Sequence, residues 1–323
     1  MRLLIHLGLE AVRILAKVVS TASDSPGART SAVIVHYRTP VETVRAARAV
    51  AETAPAADLV VVDNASGDDV AERLRREVPS ARVLREASNR GFGAACNRGA
   101  RETSRPYILL LNSDAFVGPG AVAALEAALD ADPKAAAAGP RLRNPDGTLQ
   151  PSIRRLPTPW RVFCESAGLA FLSGGREPFS GHSATRQNHD APRAVEALMG
   201  AALLARRSAF EEVGGFDESF FFYAEETDLM ARWRDRGWSV LFEPRAEAVH
   251  EGGKSSGDAL FGQLHASLAR YTRKHHGAAA AALVRAMLGA GAVARYAVAL
   301  VTPGETGRRR RARYRAALAG PSR

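Results

Sequence analysis

Three polar side chains stand where apolar segments of this sequence end. Asp63 closes the run VVVD, Asp114 follows the run YILLLNS, and His250 ends the run AVH. In an open α/β sheet, ligands bind in the crevice beyond the carboxyl ends of the strands, so such side chains face a ligand. Asp63 is suited to accept a hydrogen bond from a nucleotide base or a ribose hydroxyl. The competing interpretation of each aspartate is a helix or turn cap.

Asp114 is the best candidate for a metal ligand. A carboxylate suits Mg or Mn, which bind through one or two carboxylates together with substrate phosphates. Asn112, two positions earlier, is neutral, so a full pair of carboxylates is missing. His250 offers a nitrogen ligand, although a single histidine at a strand end is more often structural. The glycine- and serine-rich residues 252–256 that follow favour the functional interpretation, because such a loop can close over phosphates.

A cluster of acids follows the aromatic run SFFFY. Glu225, Glu226 and Asp228 lie within four positions of one another. All three could simply occupy the first turn of a helix, where the macrodipole favours acids. Crowded carboxylates, however, raise one another's pKa. That effect would tune one of them toward general-base catalysis near neutral pH.

The run NRGFGAACN, from Asn89 to Asn97, resembles a dinucleotide-binding fingerprint. Gly91 and Gly93 precede a helical pattern, and Asp114 follows about twenty residues later. The third glycine position holds Cys96, and the run belongs to the third strand–helix unit rather than the first. A NAD-binding fold is therefore the minor alternative. The turn can still bring backbone N–H groups and a helix N-terminus close to a ligand.

Strand and helix patterns alternate from the end of the linker at 23–30 to residue 131. Alternation of this length predicts a mostly parallel central sheet with helices on both faces. The predicted strands are 32–37, 59–63, 82–85 and 107–112, and the predicted helices are 40–53, 68–78, 91–103 and 119–131.

The alternation breaks after residue 139. A proline-rich segment and a helix are expected at 154–172, and residues 173–192 are expected to form a mobile loop of the kind that covers a site. The remaining predicted strands are 195–205, 239–242 and 247–250, and the remaining helices are 207–213, 227–236, 258–275 and 277–301.

The charge of +10 is concentrated at the ends of the chain. Residues 303–323 carry seven Arg and one Glu, so the middle of the chain is nearly neutral. A nucleic-acid-binding face would need its basic residues clustered on the body, so nucleic acid is not expected as a partner. Cys96 and Cys164 are too few for a disulfide framework and are expected to be small core residues in a reducing compartment.

The first 19 residues place polar side chains along one stripe of a helix. Charged residues interrupt the apolar stretch and no cleavage site follows, so a signal peptide is not expected. Such a helix can lie in a membrane interface, or pack on the body or on a partner. The basic run 308–315 can be a solvated tail or contact an anionic membrane surface. A membrane span at 277–301 is the less favoured alternative, because two arginines interrupt it.

Six motifs in order resemble the family 2 inverting glycosyltransferases of the GT-A fold. The nearest likeness is the rhamnosyltransferase-like branch, which builds bacterial cell-wall and surface polysaccharides. The resemblance covers residues 31–256 and implies a catalytic domain at 31–257, between an amphipathic helix with its linker at 1–30 and C-terminal helices with a basic tail at 258–323. The motifs are VIVHYRTP, VVVDNASGDD, NRGFGAACNRG, LLLNSD, the run from Met199 to Arg232, and AVHEGGKSS.

This resemblance implies roles for the donor-binding residues. Asp63 matches the acid that contacts the pyrimidine base, and His36 and Tyr37 belong to the segment that walls the base in. The residues Asn112–Ser113–Asp114 occupy the family's D-x-D position, where Asn112 departs from the general pattern. The run with Asn89, Gly91 and Asn97 completes the implied donor site.

The same resemblance implies the catalytic and metal-binding residues. Glu226 matches the second acid of the family's Glu-Asp pair, the presumed base, and here it is one methylene longer. Glu225 is the neighbouring acid of that motif. Asp114 and His250 are the implied contacts to Mg or Mn, or to the donor's diphosphate.

The implied reaction is a single displacement at the anomeric carbon of a dTDP- or UDP-sugar, with inversion. Rhamnose is the expected sugar and a glycan or a polyprenyl-diphosphate-linked glycan the expected acceptor. The expected location is the cytoplasm, with peripheral contact at the inner face of the membrane. The alternatives are transfer from UDP-hexose or UDP-galactofuranose, a nucleotide-dependent transferase or dehydrogenase of another class, and a non-catalytic sugar-binding relative.

Overall fold

The computed structural model describes residues 25–183, 186–252 and 261–320. The predicted helix at the N-terminus and most of the loop at 252–256 lie outside these ranges. A twisted sheet forms the centre of the protein, and a separate two-stranded ribbon lies beside it. The strands are β1 Thr30–His36, β2 Asp58–Asp63, β3 Arg82–Arg85, β4 Tyr107–Asn112, β5 Ala115–Val117, β6 Ala135–Arg143, β7 Leu149–Gln150, β8 Ile153–Arg154, β9 Arg193–Val195, β10 Ala197–Leu198, β11 Ala202–Arg206 and β12 Ser239–His250.

Helices cover both faces of the sheet and extend beyond it at the C-terminal end. The helices are α1 Pro40–Thr53, α2 Val70–Glu77, α3 Phe92–Arg101, α4 Ala121–Ala131, α5 Pro159–Ser166, α6 Leu169–Leu172, α7 Arg207–Glu212, α8 Glu225–Asp235, α9 Phe261–Val301 and α10 Gly304–Ala319.

The strand order is β3-β2-β1-β4-β11-β6-β12-β5. The first four strands are parallel, as predicted, while β11 runs antiparallel to both of its neighbours. Register pairs His36 with Asp63 and Val35 with Asn112. The strand ends that carry the candidate donor-binding residues therefore meet at one edge of the sheet.

Successive residues of the parallel strands face opposite sides, so a continuous apolar run serves two cores. In β1, Ala32 and Ile34 enter one core, while Val33 and Val35 enter the other. The first core lies under α1, α2 and α4, and the second lies under α3 and α8. Cys96 and Cys164 are free and buried, as expected.

The structure corrects the second half of the predicted elements. Residues 135–143, to which the sequence analysis assigned no element, form β6 in the interior of the sheet. Residues 195–205, predicted as one strand, are divided among β9, β10 and β11. The two strands predicted at 239–250 are one strand, β12, with an irregularity between Glu243 and Glu247.

The C-terminal helices α9 and α10 form an antiparallel hairpin. Arg311 of α10 donates to the carbonyl oxygen of Ala299 at 2.8 Å, and Arg315 donates to the Tyr296 hydroxyl at 3.3 Å. Gly277, at φ 89°, breaks α9 where the sequence predicted a boundary between two helices. Among the described residues, Gly262–Val301 is long and apolar enough to cross a membrane by length and composition. Its most apolar stretch has a mean hydropathy of 1.6, and 22 % of that stretch is buried inside the protein.

Candidate active site

A cavity of about 560 Å³ lies beyond the carboxyl end of β4, between the start of α8 and the C-terminal helices. Side chains from three distant parts of the chain line it. Five of the residues singled out in the sequence are among them: Asn112, Asp114, Glu225, Glu226 and His250. The structure therefore brings these five residues to one cavity, and their roles there stay predictions.

Strand pairing brings Asp114 and His250 together. Strand β5 begins directly after Asp114 and pairs with the end of β12, so that His250 lies opposite Ala115. The Nε2 atom of His250 is 3.4 Å from Oδ1 of Asp114, and both side chains are buried. An imidazole and a carboxylate at this distance form half of a site for a divalent cation.

Gln150 fixes the orientation of the His250 ring. Its Oε1 lies 2.7 Å from His250 Nδ1, while its Nε2 donates to Oδ1 of Asn144 at 2.9 Å. Because the Gln150 oxygen can only accept, Nδ1 donates to it, which leaves Nε2 as the ring nitrogen that faces Asp114. This is the arrangement in which metal-binding histidines are usually held. Gln150 carries no motif signal, so the sequence analysis did not single it out.

The donor set fits a cation that also takes ligands from a substrate. Within the described ranges, no three His, Cys, Asp or Glu side chains are grouped closely enough to hold a metal by themselves. Mg and Mn accept such sparse protein ligation because phosphates and water complete their coordination. Asp114 and His250 are the residues that would hold the ion.

Glu225 and Glu226 open α8 after a strained turn. Tyr223 and Ala224 both adopt left-handed backbone conformations, with φ of 66° and 64°. For residues other than glycine this costs about 1–3 kcal/mol each and persists only where surrounding contacts impose it. One such contact is a 2.7 Å hydrogen bond from the Ser267 hydroxyl of α9 to the carbonyl oxygen of Phe222.

Burial raises the pKa of both glutamates. Glu225 is 4 % exposed, and its pKa lies well above its ordinary value because of desolvation and the neighbouring charge of Glu226. Desolvation also raises the pKa of Glu226, but backbone N–H groups, including that of Gly200, and the positive charge of Arg154 oppose the rise. The Oε2 atom of each glutamate has no hydrogen-bond partner among the described residues. Such carboxyls are typical of sites that transfer protons.

Asp228, the third acid of the cluster, has a different role. It is fully buried and accepts hydrogen bonds from Arg232 at 2.8 Å, Lys274 at 3.0 Å and His275 at 2.8 Å. Although burial opposes the effect, these partners lower the pKa of Asp228. Asp228 therefore joins α8 to α9 and does not line the cavity wall that carries Glu225 and Glu226.

The candidate base-binding residues lie at the ends of β1 and β2 and do not line the cavity. Asp63 is 7 % exposed, and its Oδ1 accepts the Ser66 N–H at 2.9 Å. His36 is fully buried, with Nδ1 2.7 Å from the Thr43 hydroxyl and Nε2 3.0 Å from Asp68. Tyr37 is partly exposed.

His36 and Ser113 are held by protein contacts. Both ring nitrogens of His36 have protein partners, so its polar atoms hold the end of β1 in place. The Ser113 hydroxyl accepts a hydrogen bond from Thr39 at 2.8 Å, which joins the end of β4 to the turn after β1.

The amides of the NRGFGAACN run are also engaged within the protein. Oδ1 of Asn89 accepts from Asn64 and from the Gly91 N–H, both at 2.9 Å. Asn97 bonds both backbone groups of Phe216, again at 2.9 Å. These side chains hold loops together, and the donor contact that the resemblance implied for them stays a prediction.

Several cavity residues lie outside the motifs. They come from the segment around β8, from α5, from the irregular residues that follow α6, and from both C-terminal helices, and no spacing in the sequence marks them. The polar members are Arg154, Arg155, Glu165, Ser166, His182, Ser183, His265, Arg295 and Tyr314.

Solved structures show the class of fold. The chain resembles GalNAc-T7 with UDP, GalNAc and Mn²⁺ at a TM-score of 0.55 and 17 % identity, covering 76 % of this chain and 47 % of that one. It resembles the mannosyltransferase PcManGT of Pyrobaculum calidifontis, in complex with GDP-Man and Mn²⁺, at a TM-score of 0.54 and 16 % identity, covering 90 % and 85 %. The fold is that of the GT-A glycosyltransferases.

The sequence comparisons define the family. Residues 31–214 match the model of glycosyl transferase family 2. The chain belongs to that family and is a glycosyltransferase, which confirms the resemblance seen in its motifs.

Two curated relatives share most of this region. The N-acetylglucosaminyl-diphospho-decaprenol L-rhamnosyltransferase of Mycobacterium tuberculosis (strain ATCC 25618 / H37Rv) is 35 % identical over 215 residues, covering 62 % of this chain and 68 % of that protein. The low-salt glycan biosynthesis hexosyltransferase Agl10 of Haloferax volcanii is 25 % identical over 198 residues, covering 60 % and 59 %.

Proposed function

We propose that this protein transfers rhamnose from dTDP-rhamnose to a hydroxyl of a polyprenyl-diphosphate-linked glycan, with inversion at the anomeric carbon. The observation that carries the chemistry is that Glu226, with a raised pKa, lines the same cavity as Asp114 and His250. The choice of sugar and acceptor is supported by the 35 % identical relative, an L-rhamnosyltransferase with a diphospho-decaprenol acceptor.

Glu226 is the general base in this proposal. A base must be ionised before it can take a proton, and burial together with the charge of Glu226 raises the pKa of Glu225 well above its ordinary value, which disfavours its ionised form. Glu226 is partly exposed, and backbone donors and Arg154 favour its charged form. Whenever Glu225 holds its proton, it exerts no repulsion against ionisation of Glu226.

The donor is held at the edge of the sheet. Asp63 accepts a hydrogen bond from the base, and Asn112 and Asp114 lie beside the diphosphate at the end of β4. A Mg or Mn ion held by Asp114 and His250 would neutralise the negative charge that accumulates on the departing diphosphate. The acceptor hydroxyl, deprotonated by Glu226, attacks from the opposite face of the sugar, so one displacement inverts the configuration.

The protein acts at the cytoplasmic face of the membrane in this proposal. The exposed apolar side chains of α9 and the exposed arginines of α10 suit contact with an anionic bilayer surface. The catalytic domain is 31–257, and the helices in 258–323 form its membrane-side wall.

The experiment that tests the base is the Glu226→Gln substitution. Loss of the base should lower kcat by roughly 10²–10⁴-fold while donor affinity, measured by calorimetry with dTDP-rhamnose and Mn²⁺, stays unchanged. Glu72→Gln, on the exposed side of α2, is the control for a charge change away from the site.

Three outcomes contradict parts of this proposal. Full activity of Glu226→Gln removes Glu226 as the base. If Glu225→Gln loses activity and Glu226→Gln does not, Glu225 is the base and Glu226 is its neighbour. A product that retains the anomeric configuration, as read by NMR coupling constants, rules out the single displacement.

A further inference from the structure

The cavity extends from the catalytic acids into an apolar region formed by the C-terminal helices. Its walls there are Val162 of α5 and Leu264, Leu268, Leu288 and Ala292 of α9. Val162 and Leu268 belong to a small core that is separate from the two cores of the sheet. The donor nucleotide does not explain this apolar lining, because its sugar and diphosphate are polar.

Two arginines flank this region without a carboxylate partner. Arg295 donates to the backbone carbonyl oxygen of Glu165 at 3.0 Å, and Arg154 donates to that of Ser183 at 3.2 Å. Within the described ranges, neither guanidinium forms an ion pair within 4.0 Å. The nearby carboxylate of Glu165 bonds His182 and Ser183 instead.

Arg154 and Arg295 line the cavity, and their hydrogen bonds go to backbone carbonyl oxygens, so both guanidinium groups keep N–H donors for a ligand. Burial lowers the pKa of Arg154, and the charges of Glu165 and Glu226 oppose that effect. Burial and the charge of Arg295 both lower the pKa of His265 on the same wall. Guanidinium groups in this setting favour phosphate oxygens, which they can bind with paired hydrogen bonds.

We propose that this extension is the acceptor-lipid site, in which Arg295 and Arg154 bind the diphosphate and Leu264, Leu268 and Leu288 bind the first isoprenoid units. The assignment rests on the proposed function, and it specifies where the acceptor lies relative to the base. With the diphosphate at the arginines, the sugar attached to it faces Glu226, whose charge acts on Arg154.

The exposed face of α9 continues the same path to the outside. Val293, Val298 and Leu300 are between 55 % and 58 % exposed, and Val301 is 83 % exposed. A prenyl chain longer than the cavity can therefore leave it along an apolar surface, toward the bilayer that holds the rest of the lipid.

Calorimetric binding of farnesyl diphosphate to the full chain tests the site without requiring sugar transfer. It should bind more tightly than inorganic diphosphate and than farnesol, because both halves of the site contribute. Arg295→Gln should weaken binding by about tenfold, the usual loss for a charge-assisted hydrogen bond. Leu288→Gln should weaken the binding of farnesyl diphosphate but not that of inorganic diphosphate.

Matched controls lie on the same helix. Arg285 and Leu283 of α9 are exposed and do not line the cavity, so Arg285→Gln and Leu283→Gln should bind as the wild type does. Leu264→Gln is a second apolar variant in case Leu288→Gln lowers the melting temperature.

The proposal is overturned if the cavity variants bind farnesyl diphosphate as tightly as their controls. It is also overturned if saturating dTDP displaces farnesyl diphosphate, since the anion would then occupy the donor side. Failure of rhamnose transfer with intact, arginine-dependent binding would count against the proposed function and leave the lipid site standing.

Discussion

Glu225 and Glu226 stand at the start of a helix, where the macrodipole favours ionised acids. Burial opposes this effect of the helix. Desolvation, which favours the neutral form and raises the pKa, is the largest influence on each glutamate. The two residues differ in exposure and in their partners, so the pKa of Glu225 is raised more strongly than that of Glu226. This difference supports the assignment of Glu226, and not Glu225, as the proposed base.

The raised pKa of Glu225 makes a prediction about stability and pH. The folded protein holds this proton above pH 4.5, the ordinary glutamate value, while the unfolded chain releases it. Unfolding therefore becomes easier as the pH rises above 4.5. Glu225→Gln removes this ionisation, so its melting temperature relative to the wild type should increase with pH from 4.5 upward, as followed by thermal denaturation without metal.

The difference in melting temperature between Glu225→Gln and the wild type should be smallest below pH 4.5, where Glu225 keeps its proton in both the folded and the unfolded chain. A difference that is constant across pH would mean that Glu225 is ionised in the folded protein. Glu72→Gln, an exposed carboxyl, serves as the control and should show no such trend.

At the scale of elements, the loop before α3 supports the segment before α8. Gly91, with φ of 90°, lies so close to Phe221 that an added Cβ would be 2.1 Å from its carbonyl oxygen. The Phe92 N–H donates to that same oxygen at 3.1 Å. Through these contacts the NRGFG motif fixes the aromatic run, which in turn sets the position of Glu225 and Glu226.

Gly91→Ala should therefore impair catalysis as well as stability. The clash must displace residues near 221, and a shift of this kind moves the acids relative to the donor. We expect a loss of kcat of about 10²-fold or more, because catalytic geometry tolerates little displacement. Steady-state transfer assays and thermal denaturation measure the two effects.

Gly147→Ala is the matched control, since Gly147 also has positive φ, at 83°, but has no atom within 4 Å of an added Cβ. It reports the backbone cost of alanine alone. Equal activity of the two variants would remove the proposed coupling between the loop and the acids.

At the scale of the whole molecule, α9 is fastened to the catalytic body at several points. Asp228 binds Lys274 and His275 of α9, and His276 lies 2.9 Å from the carbonyl oxygen of Pro157. Arg295 reaches the backbone of Glu165 on α5. Since α9 also lines the cavity, these contacts help to determine the shape of the cavity wall that α9 forms.

Asp228→Asn should loosen this attachment. Breaking one partner of a buried ion-pair network costs about 3–5 kcal/mol in the free energy of unfolding. The partners lower the pKa of Asp228 below 3.8, so its contribution is present above that pH and is lost as the pH falls through the lowered pKa. In urea denaturation, the free energy of unfolding of Asp228→Asn should lie far below that of the wild type at pH 7 and less far below it at pH 3.

Asp235→Asn is the comparison, because Asp235 lies on the same helix with a side chain that is 55 % exposed. If Asp228→Asn lowers the free energy of unfolding no more than Asp235→Asn does, the network does not hold α9.

The sequence by itself determined the strand–helix order between the linker and residue 131, and with it the strand ends that carry Asp63 and Asp114. Those features are local, since apolar runs and turn residues act over a few positions. It also supplied the acids and the family, because the motifs are contiguous.

Only the tertiary structure decided the rest. The run AAAAG in β6 lacks β-branched residues, and its strand forms because β11 and β12 pair with it on both sides. Gln150, Arg154 and Arg295 enter the site through contacts between segments that are remote in sequence. Such contacts depend on how the sheet and the C-terminal helices pack, and packing between distant segments leaves no spacing in the sequence by which to find it.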